Sequence, residues 1–167
     1  MSNTEKSPDL PALKIDQAEV EKFRDFYTEL IGFVPPRIHA RTDLLARLDP
    51  EFLAMQEAIR KHAMYPSCFD TKTAQLMLFG MLLMTLADAA HLHALAARRA
   101  GAGWEELSAV VNLAFLFRGL PAANLGAQII QGMAQAERER QDGEGSVLSS
   151  AADIAMREGK ANAEKET

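Results

Sequence analysis

The chain has 167 residues, 48% of them hydrophobic, with 18 Lys and Arg set against 23 Asp and Glu for a formal net charge of −5. That length suits one well-buried core and is short for two ordinary domains, and the scattered basic residues leave no positive face for nucleic acid or an anionic membrane. The single cysteine, Cys68, allows neither an internal disulfide nor a CxxC pair. The opening MSNTEKSPDLP lacks the charged start and apolar core of a secretory signal, so a cytoplasmic location is expected.

No run alternates with period two long enough to argue for a strand, and proline and glycine divide the sequence into helical blocks, which predicts an all-α fold. Residues 1–15 read as a disordered arm. The first helix starts near Asp16, which can cap the amides of AEVEKFRDFYTELIGF, and stops at Pro35-Pro36. RTDLLARLDPEFLAMQEAIRKHAM forms a short and a longer helix, broken at Pro50. Asp70 caps a third block that runs to Arg98-Arg99 and Gly101, a basic end followed by glycine. A fourth helix begins at Trp104, with Glu105 and Glu106 in its first turn, and reaches about Phe117. A fifth begins at Pro121 and fades near Glu137. The helical domain is thus expected over residues 16–139. Residues 140–167 form a polar tail in which SSAADIAMREG is a candidate short helix against a partner.

Within the third block, LMLFGMLLMTLA (residues 76–87) is apolar on every side. Too short to span a bilayer, it needs a central position or a subunit interface to cover all its faces. An obligate oligomer follows as an expectation, with no nucleic-acid or membrane partner.

The segment continues into ADAAHLHALAARRAG, which places Asp88, His91 and His93 close together in the chain. On one helix, His91 and His93 lie about 200° apart, whereas two metal ligands need spacings of three or four. With no third ligand evident, no metal is assigned. Asp88 and His91, three apart, read either as a hydrogen-bonded pair lining a cleft or an inter-subunit contact, or as a solvated pair on an exposed turn. His93 reads as an acid/base group or as a buried imidazole bonded to a carbonyl. Met77, Met81 and Met84 at helical spacing are core filler. The chain has neither a Gly-rich phosphate loop nor a nucleophile elbow.

Three segments occur in an informative order: FDTKTAQL (69–76), HALAARRAGAGWEEL (93–107) and FRGLPAANLGAQI (117–129). Together with the upstream GFVPPRI and DPEFLAMQEAIRK, they resemble the carboxymuconolactone decarboxylase family, whose broader fold includes the alkyl hydroperoxidase D-like proteins. The similarity covers roughly residues 20–135. It implies an all-helical subunit assembled into trimers or hexamers, with a pocket near the histidine that aligns with His93.

The peroxidase branch of that fold needs cysteines seven and four positions before the histidine, where this chain has Leu86 and Ala89. Without thiols a thiol relay cannot run. The decarboxylase branch fits better, although its glutamate four residues before the histidine is Ala89 here, and that of its LDPKTREL-like segment is Gln75, which cannot exchange a proton. Arg118 stands where related decarboxylases carry a small residue. It reads as a bidentate grip on a substrate carboxylate or as a surface cation at a helix C-terminus. Asn124 either aims its amide at the pocket or completes a helix-start hydrogen bond.

The resemblance therefore implies a cofactor-independent lyase acting on a small ring-derived carboxylate or lactone. His93 is its general acid/base, Arg118 its anion anchor, and Asp88, His91, Gln75 and Asn124 are polar groups of the pocket. A family member that has lost catalysis and serves as an oligomeric scaffold is the alternative.

Overall fold

The computed structural model describes residues 10–141, and among them it contains seven α-helices and no strand. The chain falls into two compact units, Met1–Cys68 and Phe69–Thr167.

The first unit holds α1 (Gln17–Ile31), α2 (Pro36–Leu48) and α3 (Pro50–Met64). Pro36 and Pro50 each occupy a first helical turn, where the missing N–H is no loss, so α2 begins earlier than the expected RTDLL. Asp49 Oδ1 accepts from the Phe52 N–H at 3.0 Å and starts α3. Val20, Ala46 and Leu53 form a small core, with Leu13, Ile15, Phe23 and Leu45 against it.

Two buried charges complete that unit. The Arg24 guanidinium is 4% exposed. It donates to Thr42 Oγ1 at 2.7 and 2.9 Å, Asp43 at 2.6 Å and Glu21 at 2.7 Å, which satisfies most of its fork. Glu57 is ion-paired with Arg41 and, at 3.6 Å, with Arg60, and it accepts from the Tyr27 hydroxyl at 3.3 Å. The Arg60 guanidinium lies 3.7 Å from the centroid of the Tyr27 ring. Burial pushes the Tyr27 hydroxyl above its ordinary range.

The second unit holds α4 (Thr71–Met84), α5 (Ala90–Arg99), α6 (Trp104–Arg118) and α7 (Leu120–Gln141). Its core joins Phe79 and Leu83 of α4, Ala90, Ala94 and Ala97 of α5, Leu107, Val111 and Ala114 of α6, and Ala122 and Ile129 of α7. The alanine face of α5 lets its backbone approach its neighbours closely. Gly126 does the same for α7 against Val111. Arg98 ties three helices at one end: it donates to Glu137 Oε1 and Oε2 at 3.1 and 2.9 Å and to the Ala102 carbonyl at 2.6 Å, and it stacks 4.0 Å from the Trp104 ring.

The continuous helix expected from Asp70 to Arg99 is corrected here. It ends at Met84, and α5 is a separate helix. The Ala87 N–H bonds to the Leu82 carbonyl at 3.0 Å and the Leu86 N–H to the Leu83 carbonyl at 3.1 Å, the paired bonds of a Schellman stop. Leu86 takes the left-handed position with φ of 53°. Thr85 assists, its Oγ1 donating to the Leu82 carbonyl at 3.0 Å. A leucine in place of the usual glycine hides this stop from a sequence reader, and its packing against the core offsets the backbone cost.

The reading of the three methionines as core filler holds for Met84, which packs against the core, and is corrected for Met77 and Met81, which are exposed because the chain itself does not enclose α4 on every face. A larger apolar surface lies where α6 meets α7: Leu113, Phe115, Leu116, Phe117 and Leu120 are all exposed, Phe117 at 82%. The fifth predicted helix extends past Glu137 to Gln141, whereas the candidate helix SSAADIAMREG lies outside the described residues. No helix among the described residues is long and apolar enough to cross a membrane.

Candidate functional site

The start of α4 is held by two carboxylates. Asp70 Oδ1 accepts from the Thr73 N–H at 2.7 Å, and this backbone bond holds the Asp70 carboxyl below its usual range. Glu106 accepts from Lys72 Nζ at 2.8 Å and from the Gly103 N–H at 2.7 Å. Those contacts, the lysine first, hold Glu106 low and raise Lys72. The first turns of α4 and α6 are thereby clasped together on the surface.

One turn into α4, Gln75 points inward and is 0% exposed. From α5, His93 brings Nδ1 to 2.8 Å from Gln75 Oε1. The bond crosses 18 residues of sequence and is partly buried. The amide's other end, Gln75 Nε2, is buried with no hydrogen-bond partner among the described residues. Two of the residues singled out from the sequence are thus brought into direct contact, one from each side of the break at Leu86.

Asp88 and His91 are also hydrogen-bonded, but through the main chain: His91 Nδ1 donates to the Asp88 carbonyl oxygen at 2.7 Å. Asp88 lies in the turn before α5 and not on the helix, so the two are joined by the Asp88 main chain and not as side chains on one helix. The carbonyl fixes the His91 ring, and His91 Nε2 is buried without a partner among the described residues. Arg118 is the last residue of α6 and Asn124 lies early in α7, both exposed. The hydrogen bond of Gln75 goes to His93 and to neither of these two.

At the two positions where the peroxidase branch requires cysteine, Leu86 occupies the left-handed turn and Ala89 precedes α5. Cys68 is an exposed free thiol. Among the described residues no group of three or more His, Cys, Asp and Glu side chains is gathered closely enough to hold a metal ion.

Several polar residues escaped the sequence reading. Glu57 carried a usable signal: four residues after the buried Leu53, it falls on the apolar stripe of α3, where a carboxylate must find partners. Arg24 likewise follows Val20 by four on the buried face of α1. The clasp of Lys72 and Glu106 joins residues 34 apart and leaves no local pattern.

Neither a curated protein nor a solved structure matches the chain. Residues 50–131 match the carboxymuconolactone decarboxylase family, a span that contains both Gln75 and His93, the Schellman stop between them, and the packed pair of Val111 and Gly126. Over residues 50–131 the chain is therefore a carboxymuconolactone decarboxylase family segment.

Proposed function

We propose that the protein is a cofactor-independent lyase on an alkyl hydroperoxidase D-like fold, taking a small ring-derived carboxylate or lactone, with His93 as general acid/base. The observation that carries this reading is the hydrogen bond from His93 Nδ1 to the fully buried Gln75 amide, which locks an imidazole in one orientation within the matched segment. A carboxylate leaves a β-keto-type acid most readily when its C–C bond stands orthogonal to the π-system. The enolate that remains then needs a proton from a positioned donor. Arg118 is the proposed anion anchor, and Asp88, His91 and Asn124 are proposed polar groups of the pocket.

Turnover of a panel of lactones and β-keto acids tests this. His93→Gln should lower it by roughly two to four orders of magnitude with assembly intact, while His91→Gln, on another side of α5, should cost much less. Normal turnover in His93→Gln would remove the imidazole from the mechanism.

The exposed apolar run from Leu113 to Leu120 favours a second reading, an oligomeric scaffold that has lost catalysis. Both readings take the protein to be a trimer or hexamer of this chain. Absence of turnover across the panel, together with a copurifying partner, would select the scaffold.

A further inference from the structure

We infer that Gln75 is a positioning residue rather than a substrate ligand: it stores the resting proton of His93 on Nδ1 and so makes Nε2 the nitrogen that exchanges protons. The inference deepens the lyase reading and rests on it only for the use to which Nε2 is put.

An amide oxygen can only accept, so a contact of 2.8 Å between Gln75 Oε1 and His93 Nδ1 requires the hydrogen to sit on Nδ1. In a neutral imidazole the other nitrogen then holds a lone pair. The amide cannot turn away to solvent, because Gln75 is 0% exposed and sits between the buried Ala74 and Phe79 on the packed side of α4. Packing gives no reason for an amide there. Its Nε2 is a buried donor without an acceptor among the described residues, a destabilising feature that leucine of similar volume would not introduce. What the amide supplies is an acceptor for one ring nitrogen of His93.

The consequence for the proposed reaction is a direction of proton flow. The resting ring has no transferable hydrogen on Nε2, so Nε2 must first gain one, from the substrate or from water, and the ring becomes imidazolium. When carbon dioxide leaves, the electron pair of the broken C–C bond remains on the enolate. That carbon then takes the proton from Nε2, whose lone pair is restored. Gln75 holds the Nδ1 proton throughout and exchanges none, because an amide has no proton to transfer at neutral pH.

The test reads the ring directly. The chain has four histidines, His39, His62, His91 and His93, so selective 15N-histidine labelling of the full chain gives a spectrum that His93→Gln assigns by loss of one set of signals. Above the pH at which the ring is charged, long-range 1H–15N correlation should show His93 with Nδ1 protonated and Nε2 bare. In Gln75→Leu the bare Nε2 signal should be lost as the proton moves to Nε2, the form favoured in water. Gln75→Glu, which keeps an acceptor, should preserve the Nδ1-protonated form. A parent spectrum with His93 protonated on Nε2 overturns the inference, whatever the variants do. So does a Gln75→Leu spectrum in which the parent pattern persists. Failure of the lyase reading is seen separately, as no turnover on any lactone or keto acid alongside an intact ring signature.

Discussion

α6 and α7 approach closely at Gly126, and replacing Gly126 by alanine should expose how much depends on it. A Cβ on Gly126 would stand 2.9 Å from Val111 Cγ1 and 3.2 Å from Val111 Cβ, and closer still to Cγ2. Turning the valine about χ1 cannot relieve all three contacts. Valine in a helix keeps one rotamer strongly, and its Cβ would remain too close in any other. The two helices must therefore separate, an overpacking cost of about 1–3 kcal/mol, against which the better helix propensity of alanine returns roughly 1 kcal/mol. The net destabilisation expected is about 0–2 kcal/mol. Trp104, the only tryptophan of the chain and the first residue of α6, reports on this unit in a urea titration. With a slope of about 1–3 kcal/mol per molar, a net cost at the middle of the expected range, about 1 kcal/mol, lowers the midpoint by roughly 0.3–1 M. In a Val111→Ala background most of the cost should disappear, because the two Cγ contacts are gone and only the 3.2 Å approach to Cβ remains, against which the propensity gain acts. If Gly126→Ala stabilises the protein equally with and without Val111, the close approach of α6 and α7 does not exist as described.

Acid should loosen the second unit through Asp70 and Glu106. Both carboxyls are held below their usual range, so their contribution is present at neutral pH and is lost as the pH falls through the depressed values, below about 4. Thermal melts of Asp70→Asn and Glu106→Gln should show a shallower acid decline than the parent, and an unchanged slope would count against the clasp. At Leu86, glycine should be about 1 kcal/mol more stable than alanine by denaturant unfolding, because only glycine enters the left-handed position freely. The helix-interior order, with alanine ahead, would mean that α4 does not stop there. Light scattering should give an assembly larger than the 18.3 kDa chain, with Phe117→Asp shifting it toward that mass; a stable monomer in the parent would refute the oligomer. Cys68→Ser should leave fold and assembly unchanged, because the thiol is exposed and unbonded.

Helix starts were the most legible part of the sequence, for reasons that act locally. Asp70 bonds the Thr73 amide three residues on, and Pro50 sits in the first turn of α3, so the signal and the structure it specifies lie within a few residues of each other. The end of α4 was illegible because its punctuation is a leucine: the left-handed conformation at Leu86 is sustained by packing against helices from elsewhere in the chain. His93 and Gln75 were each readable as chemistry, but their contact was not, since only the tertiary fold joins residues 18 apart.

The turn at Leu86 also sets a length scale. Along an uninterrupted helix, Gln75 and His93 would stand about 27 Å apart, at 1.5 Å for each residue between them. Their side chains meet at 2.8 Å only because the chain reverses between α4 and α5. Two hydrogen bonds and one leucine in an unfavoured backbone conformation thus act as the hinge pin of the pair. A substitution that let α4 run straight through residues 85–89 would hold amide and imidazole about 27 Å apart along the helix axis, and the pair would be broken with every atom of both residues intact.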